Sequence, residues 1–81
     1  MVGPRRLNEP RAVAVDADSA GAPQAVASVA VEAIREEWLV EDRWWTPRPL
    51  RRHYFELAMA DGRALTVFRD PGSGRWFRQR A

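Results

Sequence analysis

The chain has no cysteine, no lysine, one histidine and one tyrosine. Without cysteine there are neither disulfides nor thiolate metal ligands to hold a small fold together. The single histidine, His53, sits between Arg52 and Tyr54. Nucleophilic or acid–base catalysis needs a base held beside a nucleophile and oriented by a third group. One histidine among arginines does not suggest that arrangement, and His53 reads as a strand residue near the surface, so the expectation is a protein that is not an enzyme. Gly72-Ser73-Gly74 lacks the longer glycine spacing, the lysine and the following helix of a phosphate-binding loop. It reads as a turn. The acidic run Glu36-Glu37 and Glu41-Asp42 has no histidine or cysteine beside it and reads as a solvated edge or as partners for arginine, not as a metal site. No cofactor and no metal are expected.

Long apolar runs are missing too. None approaches the roughly 18 residues of a membrane span, and the start of the chain carries no apolar signal core. These absences lead to the expectation of a soluble cytoplasmic protein with no membrane partner. The absence of lysine makes all thirteen basic residues arginine. Beside abundant Ala, Gly, Pro and Val, this reads first as compositional bias. The clustering of the arginines is more informative than their number.

What is present is concentrated in one half. Residues 1–42 hold four arginines against eight acids, and residues 43–81 hold nine against three, so net charges of −4 and +6 make up the overall +2. Seven of the eight aromatic residues also lie in the second half. They alternate with arginine in Arg43-Trp44-Trp45, Arg51-Arg52-His53-Tyr54-Phe55, Phe68-Arg69 and Arg75-Trp76-Phe77-Arg78. Such interleaving suits an anionic, stackable partner or a protein surface. It also suits a small domain that must build a core and stay soluble. With 81 residues, 46% of them hydrophobic, the chain makes one domain with one small core. Its large aromatics, burying on the order of 150–250 Å² each, would carry much of the stability.

Residues 1–11, with Pro4 and Pro10, lack an apolar period and are expected to be disordered, leaving 12–81 as the single domain. Ala12 to Val15 has the composition of a short strand, and Asp16 to Pro23 is rich in turn residues. Residues 24–40 admit two readings. Val26, Val29/Ala30, Ala33/Ile34 and Trp38 recur at helical spacing, whereas alternation and β-branched content argue for a strand. Periodicity alone leans to helix. Pro47 and Pro49 make Trp45 to Leu50 an extended connector. His53 to Met59 alternates as a strand with Phe55, Leu57 and Met59 on one face. Asp61-Gly62 predicts a type I′ hairpin turn, Ala64 to Arg69 the returning strand, Pro71 to Gly74 another turn, and Arg75 to Arg80 the last strand. The expected fold is all-β: a small antiparallel meander of four or five strands curled into a half-barrel or sandwich.

Adjacent residues on an extended segment point to opposite faces, so Trp44 and Trp45 cannot both enter one core. One is expected to lid the barrel end or to anchor a partner, since Trp, Tyr and Arg dominate binding hot spots. Trp38 and Trp76 read more simply as core. Arg51, Arg52, Arg69, Arg75, Arg78 and Arg80 are expected as a stripe on the outer face of the meander. Trp76, Arg78 and Arg80 share one parity of the last strand, which suits base stacking with phosphate contacts. The plain alternative is an edge strand protected by charge.

The order of motifs resembles a small bacterial family of unknown function, DUF6504: Trp44-Trp45, Arg52-His53-Tyr54-Phe55, Gly62, Val67-Phe68-Arg69-Asp70 and Gly74-Arg75-Trp76-Phe77. A similar segment closes ImuB-type proteins, Y-family polymerase relatives that act as adaptors in damage-induced mutagenesis. The resemblance spans about residues 29–77. It implies β structure before the tryptophan pair, which favours the strand reading for Val29 to Val40, and an accessory role without catalytic residues. This chain departs from the pattern in its tail, Arg78-Gln79-Arg80-Ala81, and in a shortened stretch between Val15 and Val29. The expected function is a non-enzymatic protein-interaction module, an accessory to translesion synthesis, presenting Trp44, Trp45, Arg52, Tyr54 and Arg69 to a protein partner. The alternative is a nucleic-acid-binding domain using Arg75, Trp76, Arg78 and Arg80. In either case a monomer or weak dimer is expected.

Overall fold

The computed structural model describes residues 10–42 and 50–79, and no helix occurs among them. The second half folds as the alternation predicts. Strands Leu50–Met59 (β5), Ala64–Asp70 (β6) and Arg75–Gln79 (β7) form an antiparallel meander. Before them run Arg11–Ala12 (β1), Val15–Ala17 (β2), Pro23–Val26 (β3) and Val29–Asp42 (β4). The sheet order is β1-β7-β6-β5-β4-β3-β2, with every pair antiparallel.

The two outermost strands of that order, β1 and β2, are separated in sequence by Val13 and Ala14 alone. Two residues reach roughly 7 Å at full extension, so the sheet must curl until its edges approach. Val13 N–H donates to the carbonyl of Trp76 at 3.1 Å, and Ala14 C=O accepts from Ala27 N–H at 2.8 Å. The result is the all-β half-barrel that was expected. Three short strands from residues 11–26 enlarge it beyond the four or five strands of the simpler reading. Of the segment 1–11, only Pro10 and Arg11 are among the described residues, and Arg11 pairs with Arg78.

The core lies on the concave face. Phe55, Leu57 and Met59 of β5 meet Leu65 and Val67 of β6 and Val26 of β3, with Val13, Val15, Val29, Val31 and Trp76 packed around them. No polar or charged residue is buried among the described residues.

Residues 24–40 contain no helix: they form β3, a turn and most of β4. The misleading period has a local cause. β4 pairs with β5 through two register shifts, between Val31 and Ala33 and between Ile34 and Glu36. Each is a β-bulge that inserts one extra residue, Glu32 and then Arg35. Val31 opposes Met59, Ile34 opposes Leu57 and Glu37 opposes Phe55, so the core-facing positions recur every third residue. Two closely spaced bulges thus imitate a helical period.

The hairpin turn at Asp61-Gly62 is not of the type that sequence suggests. At Asp61-Gly62, only Gly62 has positive φ (91°); Gly62 N–H bonds to Met59 C=O at 2.9 Å, and Met59 N–H to Arg63 C=O at 2.8 Å. That is a three-residue loop with glycine in the left-handed position, not the type I′ turn expected. The Asp61 carboxylate is held below its usual pKa chiefly by the backbone N–H of Arg63, with the Arg63 guanidinium adding to it. The two-residue loop with positive φ at both positions occurs instead at Ala27 (49°) and Ser28 (70°), between β3 and β4. Neither residue is the Asn, Asp or Gly that this geometry favours.

Candidate interaction face

Neighbouring side chains on a strand point to opposite faces. Since Phe55, Leu57 and Val67 take the concave side, Tyr54 and Phe68 fall on the convex side. The register then lines up one aromatic from each of four strands: Trp38 opposes Tyr54, Tyr54 opposes Phe68, and Phe68 opposes Phe77. Trp38 and Tyr54 stack at 5.3 Å between centroids with planes 6° apart. Tyr54 and Phe68 lie 5.0 Å apart, and Phe68 and Phe77 5.2 Å. Such cross-strand pairs are the unit from which sheets gain side-chain stability.

Arginines roof this row. The Arg52 guanidinium lies 4.4 Å from the Phe68 ring centroid and donates to the Tyr54 hydroxyl at 3.3 Å. Arg75 lies 5.4 Å from the Phe77 ring. Cation–π contact and the arginine stem together cover apolar surface while leaving charge in water. Phe68 is only 2% exposed although it points away from the core, whereas Trp38, at the open end of the row, is 39% exposed. Both signs of charge flank the aromatics. Glu36 opposes Glu56, which opposes Thr66, while Asp70 opposes Arg75.

The concave side carries a different set. A cleft of about 660 Å³ opens between the loop 18–22 and the sheet, lined also by Glu37, His53, Phe55, Arg69 and Trp76. His53 Nε2 lies 2.8 Å from Glu37 Oε2, and its ring stacks on Phe55 at 4.4 Å. Trp76 tilts against Phe55 at 5.6 Å and packs on the core. A histidine–carboxylate pair is part of a catalytic relay, but among the described residues no hydroxyl is hydrogen-bonded to His53. Nor do three His, Asp or Glu residues among those described gather as a metal site.

The sequence-predicted site residues therefore separate. Arg52 and Tyr54 share the convex face with Arg75. Arg69, in register with His53 and Trp76, lies on the concave side, as does Arg78, which opposes Val67. Arg51 opposes Glu41 and pairs with it at 3.2 Å. The single outer stripe of arginines expected from sequence is thus divided, because residues of odd separation on a strand must face opposite ways. Trp76 packs against the core as expected. Trp38 does not, because its partner Tyr54 lies between two residues that point inward. Trp44, Trp45 and Arg80 lie outside the described residues. Trp38, Phe68 and Phe77 were not among the predicted site residues. The turn from Pro71 to Gly74 sets Phe68 opposite Phe77 as counting predicts, but the two-residue turn expected at Asp61-Gly62 would have set Tyr54 opposite Arg69, so the full row was hidden until the loop's true length was known.

Fold and face together define a small antiparallel half-barrel with an aromatic row under arginine on its convex side. No family model, no curated protein and no solved structure matches the chain.

Proposed function

We propose that this chain is a non-enzymatic protein-interaction module and that its convex face, centred on Trp38, Tyr54, Phe77 and Arg52, is the contact surface. The supporting observation is the in-register aromatic row, roofed by arginine and open at Trp38. Aromatic and arginine side chains pre-positioned by one another dominate protein interfaces and lose little freedom on binding. The balance of Glu36, Glu56 and Asp70 against Arg52 and Arg75 favours a protein over nucleic acid, since a phosphate-tracking surface relies on unopposed positive charge. The role as an accessory to translesion synthesis or damage-induced mutagenesis rests on the motif order that resembles DUF6504 and the end of ImuB-type chains.

The test is binding to purified translesion polymerases and their adaptor proteins, measured by interferometry beside anisotropy titrations with single- and double-stranded DNA. One polymerase or adaptor should bind, and Trp38→Ala or Arg52→Ala should weaken it about tenfold or more with the unfolding midpoint nearly kept. DNA binding that falls with salt, without any protein partner, would overturn the proposal and move the function to Arg75, Trp76 and Arg78.

A further inference from the structure

We infer that the free edge of β4 between Glu36 and Asp42 is a docking site for an extended, arginine- or lysine-rich segment of a partner protein, added as a further antiparallel strand. The inference concerns backbone groups at the sheet's edge and stands whether or not the convex face binds anything.

β4 is 14 residues long, and β3 pairs with only its first two, Val29 and Ala30. From Val31 onward one side of β4 pairs with β5, and no strand among the described residues pairs with the other. An unpaired strand edge presents alternating N–H and C=O groups that template another chain. The bulges at Glu32 and Arg35 distort the near part of this edge. Beyond them, Glu36 to Asp42 runs against Leu50 to Glu56 without a register shift. The regular stretch is long enough for a strand of ordinary length. β4 also carries all the exposed large hydrophobic residues among those described: Ile34 at 38%, Trp38 at 39% and Leu39 at 59% exposure.

Charge selects the occupant. From Glu32 to Asp42 the strand has five carboxylates and one arginine. Two of the acids have solvated partners, Glu37 with His53 and Glu41 with Arg51, and such exposed pairs contribute little. A second copy added edge to edge would bring carboxylate against carboxylate, which is unfavourable. The arginine-bearing strand of another copy is no better, since β1 already pairs with the edge of β7 at Phe77 and Arg78. Acidic protection of an edge thus excludes self-association while leaving a basic strand welcome. The two faces refine the requirement. Glu37, Leu39 and Glu41 point to the concave side, and Glu36, Trp38 and Val40 to the convex side. A matching strand has basic residues at both ends and apolar or aromatic residues at its centre.

The probe is the labelled peptide Arg-Arg-Val-Val-Tyr-Arg-Arg titrated against the full chain, with amide exchange followed by NMR. The expected result is binding that weakens as salt rises, with slowed exchange at alternate amides of β4 between Glu36 and Asp42. Two modified peptides keep the result independent of the protein's folding. N-methylation at alternate residues should weaken binding about tenfold through lost backbone hydrogen bonds, and the glutamate analogue should not bind. Glu36→Lys with Glu41→Lys should weaken the arginine peptide about tenfold, whereas Arg75→Ala on the convex face should leave it unchanged. Equal binding of the N-methylated peptide, protection confined to other strands, or dimerisation of the free chain through the same amides would each overturn the inference.

Discussion

The two faces of the β5–β6–β7 meander bury their apolar residues by different means. On the concave side Leu57 and Val67 are fully enclosed because the sheet curls around them and β3 and the Val13–Val15 segment close over the gap. On the convex side no backbone covers the aromatic row among the described residues. Phe68 nevertheless reaches the same burial as Phe55, 2% exposure each. Among the described residues its neighbours on that side are side chains: Tyr54 and Phe77 beside it, and the Arg52 guanidinium above. A face that would ordinarily alternate to polar residues has become a thin second apolar layer. Curvature supplies enclosure on one side, and stacking supplies it on the other.

That contrast can be tested by the same kind of truncation on each side. Leu57→Ala removes a side chain with no exposure from the middle of the core. It should cost about 3–4 kcal/mol in urea unfolding, transfer and cavity terms together. Phe68→Ala should cost about 2–3 kcal/mol, less than an enclosed phenylalanine usually does because Arg52 and Tyr54 can settle into the space left behind. A loss below about 0.5 kcal/mol, the range of ordinary surface substitutions, would show that the convex row is not an apolar layer at all. The smallest change touches neither face. Ala27→Asn with Ser28→Gly gives the β3–β4 loop residues that tolerate positive φ, and should stabilise the fold by about 1 kcal/mol. No gain in the unfolding midpoint would mean that the loop adopts another geometry in solution.

The same two faces explain how much could be read from the sequence. The alternation of Phe55, Leu57 and Met59 against Tyr54, Glu56 and Ala58 is unbroken, so β5 to β7 and their core face were legible. β4 was not, because the bulges at Glu32 and Arg35 move successive core-facing residues from a period of two towards three. β1 and β2 are too short to carry a period; what defines them is pairing with strands distant in sequence. For the site, Arg52 and Tyr54 could be named from composition, but face assignment needs register. Arg69 and Arg78 were grouped with Arg75 by proximity along the chain, and the pleat separates them. Trp38 read more simply as core, at the end of an apolar helical period; its neighbours across the sheet decided otherwise.

Arg11 and Ala12 find their partners in Arg78 and Phe77, so the first described strand pairs with the last. During synthesis the early strand must wait, unpaired, until β7 has left the ribosome. Closing the sheet is therefore a late event with a long loop to search. Two neighbouring ends also invite a rearranged gene. A chain that began at β4, with β7 tethered to β1 by a few added residues, would turn this slow encounter into a local one.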